Sequence, residues 1–251
     1  MRLLNQAIVT SALLAVAHGQ ALLLAARGAE GSPISRGLQV DSSAPDDANF
    51  ISDVEISTNV VNECGRTLLA GNIDIGEQTE NALADGNVTQ ATAGSRVAVL
   101  IQQVNDTGAG PFTCDMDQTG NSIGVTGQTK LDVKEAEANK KGIIGLGVTM
   151  PSDMQCTGAS AGNVCTVRCR NANNFGGCFA VQQTDVTPSE NDPTTIETIK
   201  QLGDVFQQTQ QNIADLPAAL EAIAGASQSP ADQGTAVVDK IQAADPSTID
   251  N

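Results

Sequence analysis

Six cysteines, Cys64, Cys114, Cys156, Cys165, Cys169 and Cys178, constrain this chain more than any other feature. Their meaning depends on the compartment, and the N-terminus speaks to that. Met1-Arg2 is a short basic start, and residues 7–17 form an apolar run of eleven ending in Ala15-Val16-Ala17. This pattern reads as a secretory signal peptide with a small-residue cleavage site. Eleven residues are too few to cross a bilayer as a helix. A second apolar stretch, residues 21–26, leaves cleavage after Ala26 as an alternative to cleavage after Ala17. Under the first, the mature chain begins at His18. On an oxidising route, six cysteines imply three disulfides, with fifteen pairings open. Cys156–Cys165 is the favoured local bridge, across a loop rich in Gly, Ala and Ser. A metal reading of Cys165-x3-Cys169 competes, and export speaks against it.

Composition removes several function classes. Thirteen Lys and Arg stand against 29 Asp and Glu, a net charge of −16. Binding a phosphate backbone needs clustered cations, so nucleic acid is not expected as a partner. Nor does any later segment have the length of a membrane anchor, so an extracellular, secreted protein is expected. Trp and Tyr are absent and Phe numbers five, which leaves few rings to stack on sugars or bases. The single histidine excludes sites built from two imidazoles within this chain.

Patterning divides the chain into a signal peptide (1–17), a β-rich domain (18–185), an amphipathic helical extension (186–225) and an acidic, partly disordered tail (226–251). Residues 97–104 alternate in β-branched character and form the clearest strand. Further strands are expected at 123–133, 143–150, 164–169 and 178–183. Short strands at this spacing, stapled by disulfides, predict an antiparallel β-sandwich, a mainly β fold. One short helix interrupts it, capped by Asn72 and ending at Asp85-Gly86. Beyond residue 186, Thr194 and Glu197 form a capping box. Ile196, Ile199, Leu202, Phe206 and Ile213 then recur at helical steps. Residues 218–224 suggest a second helix behind Pro217, and Ser229-Pro230 a third holding Val237, Val238 and Ile241. Asn87-Val88-Thr89 and Asn105-Asp106-Thr107 are N-glycosylation sequons.

Several blocks occur in a recognisable order: residues 62–68 (NECGRTL), 71–77 (GNIDIGE), 103–105 (QVN) and 108–115 (GAGPFTCD), then 156–158 (CTG), 163–171 (NVCTVRCRN) and 175–183 (FGGCFAVQQ). Together, over roughly residues 18–225, they resemble the secreted fungal virulence-factor family of powdery-mildew early infection and rice-blast appressoria. That resemblance implies export, expression around host penetration and a β-rich disulfide domain, without a settled activity. Members often begin the mature chain with His-Gly, as His18-Gly19 would here. An N-terminal histidine suggests a copper brace of the polysaccharide monooxygenase kind, completed by a second imidazole. The family often carries that second histidine on the strand before Gln-Val-Asn, where this chain has Gln102, whose amide is a poor copper ligand beside imidazole. A cysteine-containing insert that relatives carry between Val40 and Ile51 is also missing.

Other chemistry-bearing residues have structural readings. Asp115 and Asp117 would share one face of a strand and resemble a glycosidase pair, but a solvated strand end or loop is the expected role. Lys130, Lys134, Lys140 and Lys141 are interleaved with Glu135 and Glu137 and are expected on a self-neutralising hairpin edge. Arg168 and Arg170 bracket Cys169 and are expected as buried ion pairs or loop anchors. The function expected is that of a secreted, virulence-associated protein that binds a host-surface or fungal cell-wall component during penetration. The alternative is a copper-dependent polysaccharide monooxygenase-like protein with a degenerate histidine brace.

Overall fold

Strand directions decide the architecture. In the computed structural model, which describes residues 21–44, 47–120, 128–190, 198–225 and 230–244, all strands belong to one sheet. In chain order they are β1 (Ala21–Arg27), β2 (Asn49–Phe50), β3 (Arg66–Thr67), β4 (Gly71–Asn72), β5 (Thr89–Ala91) and β6 (Arg96–Gln103). Then come β7 (Phe112–Asp117), β8 (Thr129–Glu135), β9 (Ile143–Thr149), β10 (Val164–Asn171) and β11 (Phe175–Gln183). The helices are α1 (Asp53–Ser57), α2 (Ile75–Ala84), α3 (Thr198–Gly225) and α4 (Pro230–Ala244).

Seven strands run in the order β1-β6-β9-β8-β7-β10-β11, each antiparallel to the next, and β11 returns to β1. An odd ring cannot alternate direction throughout, so one pair must be parallel. That pair is β1–β11, with Leu22 opposite Gly176. The fold is therefore a closed barrel and not the sandwich that strand spacing suggested. Closure removes the two edges that an open sheet would expose. Glycine makes the closing approach possible: a Cβ on Gly177 would lie 2.9 Å from Leu23 Cβ.

Inward-facing side chains fill the barrel. Val97, Val99 and Ile101 of β6 meet Ile144, Leu146 and Val148 of β9, while Met116, Val167, Phe179 and Val181 close the other side. On β6 the outward Ala98 and Leu100 are exposed, the period-2 alternation of a strand covered on one face. β10 and β11 differ, because they are buried on both faces. Residues 35–44 and 47–90 form a cover over their outer side, where Cys178 packs with Leu38, Cys64, Ile73 and Ile75, and Ala180 with Val88 and Val164.

Three disulfides fix these layers. Cys114–Cys169 links directly opposed residues of β7 and β10, Cys156–Cys165 closes the short local loop, and Cys64–Cys178 ties the cover to β11. Helix α2 starts later than Asn72, which lies in β4. Asp74 is the N-cap and accepts from the Glu77 N–H at 2.8 Å. The helix ends at Asp85, and Gly86 follows at φ +66°. The Glu80 carboxylate then accepts from Ser160 Oγ at 2.6 Å and Ser160 N at 2.7 Å, joining α2 to the loop before β10. These hydrogen bonds, the hydroxyl's first, hold its carboxyl below the ordinary glutamate range. A depressed folded value stabilises the fold above the unfolded value and is lost as pH falls through the folded one. Solvent exposure keeps that contribution small. Ser160→Ala should therefore raise the Glu80 titration midpoint with little change in thermal stability. Carboxyl NMR across pH reads this, and an unmoved midpoint would contradict the assignment.

The C-terminal part forms a helical hairpin. α3 continues through Pro217 without the expected break. Proline removes the donor that would reach the carbonyl of residue 213, and the exposed Ile213 leaves that turn open to water. Of the expected stripe, Phe206 and Ile213 do not dock: they are 61% and 66% exposed. Small residues dock instead, with Ala218, Ala219 and Ala222 against Val60, Val237 and Ile241. α4 opens at Pro230 and occupies much of the stretch expected as a partly disordered tail. The Thr194/Glu197 box, Ile196 and the first part of the strand expected at 123–133 lie outside the described residues.

Candidate functional site

The charged residues of β7 and β10 hold the cover in place. Asp115 lies between Lys130 of β8 and Arg168 of β10 in register. Arg168 Nε donates to Asp115 Oδ1 at 2.8 Å and Nη2 to Oδ2, a forked pair, while Nη1 reaches the Glu63 carbonyl at 3.2 Å. Arg170 donates to the Ile51 carbonyl at 3.0 Å and pairs with Asp53 at 2.6 Å. Both arginines are thus the loop anchors expected of them. Asp117 is buried and accepts from Thr119 N at 2.8 Å and Thr119 Oγ1 at 2.7 Å. The two aspartates are therefore bonded structural groups, Asp117 buried at the strand end and Asp115 half-buried against Arg168, and not a solvated strand end. Lys130, Lys134, Lys140 and Lys141 are exposed. β8 is paired on both sides, so only Lys140 and Lys141 lie in the hairpin turn.

One pair was not anticipated. Arg66 of β3 donates from Nε and Nη2 to both carboxylate oxygens of Glu55 on α1, at 3.0 and 2.9 Å. Both side chains are 5% exposed, and the guanidinium carbon lies 5.4 Å from the Phe50 ring centroid. Ser52 caps α1 by accepting from the Glu55 N–H, which aims this turn at β3. A Glu on a five-residue helix carries no sequence signature of burial.

Gln102 sits at the end of β6, opposite Leu22 of β1 and Ile143 of β9. Its amide nitrogen donates to the carbonyls of Gln103 at 2.8 Å, Lys141 at 3.0 Å and Gly142 at 3.4 Å. These bonds tie the strand end to the β8–β9 turn. His18 lies outside the described residues. An amide occupied by three carbonyls does not fit the second arm of a copper brace, which needs an imidazole lone pair. Among the described residues, no group of three His, Cys, Asp or Glu side chains converges as metal ligands. Asn87 is exposed beyond the end of α2. Asn105 instead caps a short turn, its Oδ1 accepting from Thr107 N and Oγ1.

The cysteine frame, the arginine-pinned cover and the order of the sequence blocks converge with the comparisons. The family model described as "Egh16-like virulence factor" matches residues 17–178, a span that contains all six cysteines. The chain belongs to the Egh16-like virulence factor family. It is 30% identical over 199 residues to the appressoria-specific virulence factor GAS1 of Pyricularia oryzae, covering 72% of this chain and 78% of that one. It is also 34% identical over 102 residues to the appressoria-specific virulence factor GAS2 of the same fungus, 35% of each chain. The family match ends at Cys178, before the helical hairpin begins.

Proposed function

We propose that this Egh16-like protein is exported and acts at the host surface or the fungal cell wall during penetration, by binding and not by catalysis. The supporting observation is the use to which its reactive side chains are put. All six cysteines are paired, Asp115, Arg168 and Arg170 pin the cover to the barrel, and Glu55 and Arg66 pair within the cover. A rigid, disulfide-tied barrel is a suitable scaffold for presenting a surface outside the cell. No described helix is long and apolar enough to cross a membrane. The exposed Asn87 is the better presented of the two glycosylation sites.

The register of β1 favours a second reading, a degenerate copper brace that lacks its second imidazole. Ala21, three residues after His18, pairs opposite Gln103, so the chain enters the barrel beside the Gln102 position. One experiment separates the two readings. The secreted protein, with its N-terminus sequenced, is incubated with isolated plant and fungal walls, then with copper and a reductant. Sedimentation with one wall type and no oxidised sugars is expected, and Gln102→His should gain copper affinity only if His18 is the first residue. Oxidised oligosaccharides from the unaltered protein would overturn the binding proposal.

A further inference from the structure

The apolar residues of α3 that do not dock form a pattern of their own. Among the described residues ten large hydrophobic side chains are exposed, and five of them lie on this one helix. They are Phe206, Ile213, Leu216, Leu220 and Ile223, each 52–66% exposed. Phe206, Ile213 and Leu220 stand seven residues apart, and Leu216 and Ile223 follow the last two by three. These are the a and d positions of a heptad repeat, with Thr209 at the remaining d position. The row from 206 to 223 runs along about 27 Å of helix. α3 meets Val60 and α4 through Ala218, Ala219 and Ala222, which leaves the row open to solvent.

Periodicity, charge and area point to a second copy of this chain as the occupant. A heptad row is self-complementary: its side chains insert between those of a like row, so the same surface on two chains meets about a two-fold axis. Two chains of net charge −16 repel over most of their surface, yet Gln210, Asn212, Pro217 and Ala224 beside the row are all uncharged. The charges of this stretch lie elsewhere. Asp215 is buried, and Glu221 pairs with Lys240 of α4 at 3.0 Å. Each half-exposed side chain of this size hides on the order of 100 Å² when covered. Five from each copy then bury roughly 1,000 Å², the lower end of a specific interface. A lipid surface fits less well, because an interfacial helix carries Lys and Arg along its polar face and α3 has only Lys200. We propose that the protein dimerises through α3, its apolar row packed against the same row of a second copy as a two-stranded coiled coil. The interface lies beyond the family match and does not rest on the wall-binding reading.

Sedimentation equilibrium of the full secreted chain reads this directly. It should show monomer near about 1 µM and dimer near about 100 µM, the weak range expected of an interface this small. Ile213→Asp combined with Leu220→Asp places carboxylates in the joint and should leave a monomer at both concentrations. Both residues are exposed in the single chain, so the thermal transition of that monomer should match the parent's. Leu100→Asp, at an exposed leucine of β6 away from the row, should dimerise like the parent. A parent that stays monomeric at about 100 µM overturns the proposal, as does a dimer that survives the paired α3 substitutions. A monomer that sediments with phosphatidylcholine vesicles overturns it as well, and would assign the row to a lipid surface.

Discussion

A chain that begins at Arg27 should fail to fold, whereas one that begins at His18 should be secreted as a protease-resistant domain. The difference is β1. Ala21, Leu22, Leu23 and Ala26 are all at most 1% exposed, and the strand pairs along its length with β6 and at Leu22 with β11. Losing two fully buried leucines costs about 3–6 kcal/mol in transfer terms alone. Removal would also leave β6 and β11 with unpaired backbone donors and acceptors facing a broken core. Together these exceed much of the roughly 5–15 kcal/mol that holds an ordinary domain folded. The two lengths can be compared by secretion yield and amide hydrogen exchange, since the absence of Trp and Tyr removes the usual fluorescence signal. A cooperative transition in the shorter chain would show that the barrel does not need its closing strand.

Glu55→Ala should be the most damaging single substitution in the cover. It would strand the Arg66 guanidinium, 4% exposed, beside the Phe50 ring face. Removing one partner of a buried pair typically costs about 3–5 kcal/mol, because the other charge stays desolvated. In a domain of this size that lowers Tm by about 6–20 °C. Glu55→Leu combined with Arg66→Leu should recover most of the loss, since replacing the whole pair by apolar groups removes the desolvation cost. Thermal unfolding of the three proteins gives the comparison. A single variant within about 1 kcal/mol of the parent, the range of an exposed pair, would mean that water reaches the guanidinium.

Legibility followed the range of the interactions. The strands now seen as β6, β9, β10 and β11 were readable because each carries its own apolar pattern or turn boundaries. β1 was not, because Leu22, Leu23 and Leu24 run together without alternation. A register shift between Leu23 and Ala25 and contacts with two neighbouring strands produce that run. A strand buried this way looks, in sequence, like the end of an export signal. The Arg168 and Arg170 anchors were foreseeable from their position beside Cys169. Their partners in the cover were not: Glu63 and Ile51 come from distant loops and Asp53 from the start of α1, with no matching pattern. In α3 the obvious apolar stripe misled. Alanines made the docking face, since small side chains allow two helices to approach closely.

The sequence by itself determined an even cysteine frame, a mainly β domain followed by helices, and membership in a family through its ordered blocks. Those features are local or compositional, and each is carried by residues close together in the chain. Tertiary structure alone decided the barrel, the Cys64–Cys178 and Cys114–Cys169 pairs, and the burial of Glu55 and Arg66, whereas the favoured Cys156–Cys165 bridge is present as expected. The barrel and the two long-range disulfides join residues far apart in sequence, and the Glu55–Arg66 pair joins a helix and a strand with no pattern in common. Periodicity reports that a face is buried, but only the folded chain determines what it is buried against.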